Sequence, residues 1–401
     1  MEFSDLSKTL TKSISKTAKQ SEGIYFTPPN TIKRNIDVIK KHLKKADTIL
    51  EPSCGSGEYI TQLNDVYPNA IITCIEKNKT IFDGIQTLKN DKTQLHNADY
   101  LTYDSPRKYN LIIGNPPYFV MKKAHIDTQY HQYFDGRPNI FIPFIIKSLE
   151  LLEKDGILSF VLPRNFLNSL YYDNTRSYIN NDFKILDIIE CDEDGFMDTK
   201  QKTVIVVIQN KNNAKNDKFV LEVNGYTVFG AKDNIKKMKT LYKKSHSLDT
   251  LGFVVNVGTI VWNQVKDELT TDNTKTLLIY SSDIQNNELK PKTYSNPAKK
   301  NYIEREGRTS AVLVINRGYG TGKYSFEYCI IDGKKEYLIE NHLICIRPKV
   351  NDENDILIEK YKQIIKSLEN EKTTEFIDLY FGNNAINTTE MNHVLPIYDM
   401  K

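Results

Sequence analysis

The apolar segment Thr48-Ile49-Leu50-Glu51 runs directly into Pro52-Ser53-Cys54-Gly55-Ser56-Gly57, and from Glu58 the apolar spacing becomes that of a helix with Ile60 and Leu63 inward. A glycine-rich turn between a strand and a helix lets backbone N–H groups come close to a ligand. The next segment, Ile71-Ile72-Thr73-Cys74-Ile75-Glu76, ends in an acid about twenty residues beyond the glycines, the spacing at which a carboxylate reaches a ribose diol. Either signal alone fits an ordinary turn or a solvated strand end; together they select a βαβ unit.

The rhythm continues. Gln94-Leu95 followed by His96-Asn97-Ala98-Asp99 places Asp99 at the mouth of a third strand, where its carboxylate could accept from an adenine amino group. Residues 109–114 read as a strand, 139–153 as a helix ended by Gly156, and 157–163, 183–190 and 203–209 as further strands. About seven strands separated by helices predict an open α/β sheet with its ligands at the strand ends, a Rossmann-like architecture. Upstream, Leu6, Leu10 and Ile14 predict a short surface helix. Thr27 is placed to cap a helix that carries Pro28 and Pro29 in its first turn and Ile32, Ile36 and Ile39 on its apolar side.

The fourth strand stops at Gly114-Asn115-Pro116-Pro117-Tyr118, where two prolines fix φ and stiffen the turn. Such a loop holds the Asn115 amide and the Pro116 carbonyl still, so that each can accept one N–H of a planar exocyclic amine. Two such bonds draw the nitrogen toward a tetrahedral, attack-ready geometry without a strong base. Tyr118 can stack on the ring and stabilise positive charge developing on the amine. In Gly195-Phe196-Met197, Phe196 either stacks on the opposite face of a base or simply packs on the core.

At 401 residues the chain is long enough for two cores, and 26% charged with 39% hydrophobic residues is ordinary for a globular protein. A net charge of +3 permits nucleic-acid binding without requiring it. Cys54, Cys74, Cys191, Cys329 and Cys345 are scattered, with no CxxC pair, so no metal site or disulfide framework is predicted and a reducing compartment is expected. No apolar run approaches membrane-spanning length and the N-terminus lacks a secretory core, which favours a cytoplasmic protein.

A lysine-studded helix over 231–244 marks the boundary between domains at 1–235 and 236–401; beyond it short apolar strands replace the βαβ rhythm, predicting a smaller, β-rich α+β domain. Two stretches there suit DNA. Asn316-Arg317-Gly318-Tyr319-Gly320-Thr321-Gly322-Lys323-Tyr324 is cationic and aromatic, and is not a phosphate-binding P-loop, because Tyr324 follows Lys323. Phe381-Gly382-Asn383-Asn384 offers the Asn383 amide for reading adenine. Plain turns would account for both.

Taken in order, Phe26-Thr27-Pro28, the Glu51 to Gly57 stretch, Glu76, Asp99 and Asn115-Pro116-Pro117-Tyr118 resemble the gamma-arranged N6-adenine DNA methyltransferases of type II restriction-modification systems, over about residues 19–210. Val257-Gly258-Thr259-Ile260-Val261-Trp262-Asn263-Gln264 and Asn316-Arg317-Gly318-Tyr319 also look like parts of their target-recognition domains. The resemblance implies S-adenosylmethionine across the strand ends. Thr27 and Pro28 would lie near its methionine part, Glu51, Pro52, Ser53, Cys54, Gly55, Gly57 and Asn115 around it, Glu76 on the ribose and Asp99 on the adenine. It further implies a flipped target adenine gripped by Asn115, Pro116, Pro117 and Tyr118, with Phe196 on its other face, and DNA contacts from Trp262, Arg317, Tyr319, Lys323 and Asn383. Double-stranded DNA is then the partner, a cognate restriction endonuclease acts separately, and one recognition domain with one catalytic domain favours a monomer. A protein-glutamine or RNA methyltransferase would use the same pocket, and a catalytically silent specificity subunit is the alternative outside enzymes.

Overall fold

A computed structural model of the chain describes residues 2–191, 195–199, 201–212, 215–316, 326–380 and 386–398. It divides into two compact units, Met1–Lys236 and Lys237–Lys401.

In the first unit, β1 (Thr48–Glu51), β2 (Ile71–Glu76), β3 (Thr93–Asn97), β4 (Tyr109–Gly114), β5 (Leu152–Pro163), β6 (Lys184–Glu190) and β7 (Thr203–Gln209) form one mixed sheet in the order β3-β2-β1-β4-β5-β7-β6. β7 alone runs against the direction of the other six, antiparallel to both β5 and β6. Strand order reverses between β1 and β4, so a crevice opens there at the carboxyl ends.

Side chains alternate across the sheet. Leu111 and Ile113 join the core beneath α3 (Pro29–His42), α4 (Glu58–Val66) and α5 (Lys79–Gly84), whereas Ile112 joins the core beneath α6 (Phe141–Glu150) and α7 (Asp173–Asp182). This is the period of two that a sheet covered on both faces requires. The fold is the open α/β arrangement expected from the sequence, with smaller sheets in addition.

Several local expectations are corrected. The helix expected over 139–153 ends at Glu150, because Leu152 is fully buried and already pairs with Tyr109 as the start of β5. The turn there uses Asp155 at φ 61 rather than Gly156, which instead lies against the Tyr109 carbonyl. Thr27 does not cap α3: Pro28 occupies that position without a side-chain bond, and Thr27 is buried. The N-terminal segment is two helices, α1 (Asp5–Ser13) and α2 (Lys16–Glu22), and it is no surface appendage, since Leu10 and Ile14 are buried in the core. A hairpin, Val220–Val223 with Tyr226–Phe229, turns on Asn224-Gly225, both at positive φ, the chemistry of a two-residue reverse turn.

The second unit holds two four-stranded sheets. One runs Phe253–Val257, Leu343–Pro348, Val312–Asn316, Tyr328–Ile331; the other runs Leu269–Thr270, Tyr302–Ile303, Thr276–Ile279, Tyr337–Ile339. The helix Asn354–Leu368 packs its buried Leu357, Tyr361 and Ile364 inward.

Candidate active site

A cavity of about 240 Å³ lies at the carboxyl ends of β1, β2 and β4, lined by Pro52, Ser53, Gly55, Glu76, Asp99, Asn115 and Pro117 among the residues singled out above. A smaller one, about 30 Å³, adjoins it and takes in Thr27, Glu51 and Cys54, sharing Ser53, Gly55 and Asn115.

Glu76 is buried, and its two carboxylate oxygens accept from the backbone N–H of Gly55 at 3.0 Å and of Asn78 at 2.7 Å. Burial pushes its carboxyl up to about 7 against those two bonds. Glu51 is 1% exposed, its Oε2 has no hydrogen-bond partner, and burial together with the Glu76 charge raises its carboxyl well above the ordinary range. An orphaned buried carboxylate oxygen in a cavity wall needs a donor or cation from a ligand. Two acids in adjoining cavities therefore suit a ligand carrying hydroxyls and an ammonium. Asp99 is half-buried; its Oδ1 accepts from the Leu101 N–H at 3.0 Å, and Lys77 pairs with Oδ2 at 2.9 Å.

Asn115 is held at both ends. Its Nδ2 donates to the Tyr25 carbonyl at 3.2 Å, and its Oδ1 lies 2.5 Å from the Tyr118 hydroxyl. That hydroxyl also reaches the Val161 carbonyl at 2.7 Å. One proton cannot serve both acceptors, so whenever Tyr118 donates to Val161 the Asn115 oxygen is released for another N–H. Burial pushes the Tyr118 phenol far up, so it stays neutral and is no base at working pH. The Ser53 hydroxyl donates to the Asn115 carbonyl at 3.1 Å, tying the glycine-rich turn to the Asn-Pro-Pro-Tyr turn.

Tyr118 does not line the cavity: its ring packs edge-on to Phe141, centroids 6.1 Å apart, in the core on the α6 side. Phe196 packs against the other core, on the α3 side, and Pro116 is buried. Gly57 caps α4, with Leu88 filling the space a side chain would need, and neither it nor Pro28 lines either cavity. In the second unit, the Trp262 ring has the ammonium groups of Lys266 and Lys299 each 5.8 Å from its centroid, and Lys299 is 4.1 Å from the rings of Tyr280 and Tyr294. Arg317, Tyr319, Lys323 and Asn383 lie outside the described residues.

Of one wall, sequence reasoning took up only Phe26, in the Phe26-Thr27-Pro28 stretch. Residues 21–26 line the larger cavity, and Gly23, at φ 67, lies so close to the Asn-Pro-Pro-Tyr turn that a Cβ there would sit 2.8 Å from the Tyr118 nitrogen. Lys19 on α2, 11% exposed, pairs with Asp198 at 2.7 Å, two residues beyond Phe196. No periodic signal reports such contacts, although the Gly23-Ile24-Tyr25-Phe26 sequence before Thr27 was available to find the wall. Among the described residues no group of side chains could hold a metal ion, and no helix is long and apolar enough to cross a membrane.

Residues 10–196 match the Eco57I restriction-modification methylase family. The modification methylase CviBIII of Paramecium bursaria Chlorella virus NC1A is 25% identical, with 96% of each chain covered. The type II methyltransferase M.CvrRI of Paramecium bursaria Chlorella virus XZ-6E is 26% identical over 99% of both chains. A DrdV–DNA complex solved by cryo-electron microscopy superposes with a TM-score of 0.54 at 13% identity, covering 95% of this chain and 57% of that one. Residues 10–196 thus form an Eco57I restriction-modification methylase domain, and the chain's cofactor is S-adenosylmethionine.

Proposed function

We propose that the chain is a site-specific DNA methyltransferase that modifies N6 of an adenine rotated out of duplex DNA, protecting that DNA from a cognate restriction endonuclease. The observation that carries this reading is Asn115. Its side-chain amide is fixed at the mouth of a cavity whose far wall holds Glu76 and Asp99.

Glu51 and Glu76 would hold the cofactor's ammonium and ribose, and Asp99 would face its adenine. When bound, S-adenosylmethionine supplies an electrophilic methyl group. Asn115 Oδ1, released as Tyr118 turns from the core and takes its hydroxyl away, would accept from the target amine, and the Pro116 carbonyl would take the second N–H. The nitrogen lone pair would thereby be withdrawn from the ring and made available to the methyl group; the thioether product would leave and the displaced amine proton would pass to water. Rotation of the base out of its stack costs a few kcal/mol, offset by pocket contacts. Stacking by Tyr118 and Phe196 requires both rings to turn from the cores on which they pack, so their part is a rearrangement on DNA binding.

Methyl-tritiated S-adenosylmethionine, incubated with the protein and mixed-sequence duplex DNA, tests this directly. N6-methyladenine confined to one short sequence is expected. Label found instead in RNA or in a protein glutamine overturns the DNA reading while leaving the amide-centred chemistry intact.

A further inference from the structure

Outside the methylase unit, the second unit carries a cleft of about 700 Å³ that no step above uses. Two guanidiniums line it, those of Arg308 and Arg347, together with Asn256, Thr259, Ser310 and Asn351. No carboxylate lines it, and among the described residues neither arginine has an ion-pair partner. Arg308 is exposed and Arg347 half-buried. The Arg347 side chain touches the Cys345 thiol, yet its Nε is shielded from solvent and has no hydrogen-bond partner.

The position is built by the sheet. Arg347 lies opposite Val254 in the register of Phe253–Val257 with Leu343–Pro348, and Asn256 stands two residues further along the same strand. At Gly258 the chain passes so close to its neighbour that a Cβ would sit 2.2 Å from the Glu340 carbonyl. Only glycine follows that path, and the next residue, Thr259, is thereby set at the cleft wall. A half-shielded guanidinium with an unpaired N–H and no carboxylate beside it is left short of an anion. The guanidinium fork matches phosphate oxygens in a bidentate manner, and amide and hydroxyl donors around it complete a phosphate environment.

We infer that this cleft binds a backbone phosphate of the DNA substrate, with Arg347 and Arg308 as the clamp and Thr259 and Asn256 as neutral donors. The inference rests on the DNA reading above. It makes the cleft a positioning device: phosphate contacts fix register on the duplex and carry no base sequence of their own.

Binding of a fluorescent duplex by the full chain, followed by anisotropy over a series of salt concentrations, tests it with Arg347→Gln and Arg308→Gln. Each variant is expected to bind about tenfold more weakly, equally for methylatable and unrelated duplexes, and to lower the log–log salt slope by about 1. S-adenosylmethionine affinity by calorimetry is expected to stay at the wild-type value, and so is the thermal unfolding profile of the full chain, which together certify the fold of both units. If Arg347→Gln fails that control, the exposed Arg308 carries the test alone. Unchanged slopes while the wild type binds and methylates duplex overturn the clamp and leave the DNA reading standing, as does a loss confined to one sequence. A wild-type protein that neither binds nor methylates any duplex overturns the DNA reading itself, and the clamp with it.

Discussion

The cavity of the first unit and the cleft of the second are assembled in opposite ways. At the strand ends of the first unit, each polar group comes from a short contiguous turn, and hydrogen bonds tie one turn to the next. Glu76 accepts from Gly55 and Asn78, and Asn115 is pinned between Tyr25 and Tyr118. In the second unit, residues 256–259, 308–310, 347 and 351 converge only because non-consecutive strands pair. A site built from turns concentrates its function in few residues, whereas one built from convergence spreads it over many.

The sharpest way to break that contrast is Asn115→Ala. If one amide in one turn carries the chemistry, methyl transfer to duplex DNA falls by about 10²–10³-fold or more, with cofactor affinity by calorimetry unchanged. A variant within tenfold of the wild type in single-turnover rate would remove Asn115 from the centre of the mechanism.

Glu76 gives the next largest effect, and it is read as pH dependence. Its carboxyl sits at about 7 in the folded chain against 4.5 for an ordinary glutamate. Below about pH 4.5 it is protonated in both states. As pH rises the unfolded chain releases its proton first, so stability is lost progressively up to about pH 7, in total on the order of 3 kcal/mol. Buried Glu51 acts in the same direction. Glu76→Gln should flatten part of this slope and make the free protein more stable than wild type at pH 8. Urea titrations between pH 4.5 and 8 that gave both proteins the same slope would contradict it.

Gly23→Ala probes the wall of which sequence reasoning took up only Phe26. The substitution meets both a left-handed backbone, φ 67, and the Tyr118 nitrogen 2.8 Å from the new Cβ. A cost of about 1–3 kcal/mol follows from the strain alone. Because the clash pushes on the Asn-Pro-Pro-Tyr turn, turnover should fall more than stability predicts. A thermal shift without loss of kcat would show Gly23 to be merely structural.

These contrasts explain what the sequence displayed. Strands 48–51, 71–76 and 109–114 could be read to the residue, because buried strands that end in glycine, proline or acid announce both their length and their edge, and 203–209 could be read from its continuous apolar run closed by polar Gln209-Asn210. The same turns displayed Glu76, Asp99 and Asn115. Leu151-Leu152 misled, since an apolar pair fits a helix end and a strand start equally well, and pairing with Tyr109 decided between them. The rings of Tyr118 and Phe196 also lay beyond reach. Residue type says that an aromatic can stack, but only packing says that one faces Phe141 and the other lies among the residues beneath α3. Arg308 and Arg347 carry no local signature at all.

The smallest effect bears on how the Phe196 loop is held to the N-terminal helices. Lys19→Met keeps the length and apolar stem of a side chain that is already 11% exposed, and removes only its ion pair with Asp198, whose side chain is 34% exposed. Such a partly solvated pair contributes about 0.5–1 kcal/mol, so the melting temperature should move little. The loop that bears Phe196 would lose its tether to α2, however. If Phe196 must swing onto a rotated base, then kcat should fall a few-fold at unchanged cofactor affinity, and Lys19→Arg should restore it. Wild-type kcat in Lys19→Met would mean that the loop finds its place without α2, and the N-terminal helices would then act on the cavity through Gly23 and its neighbours alone.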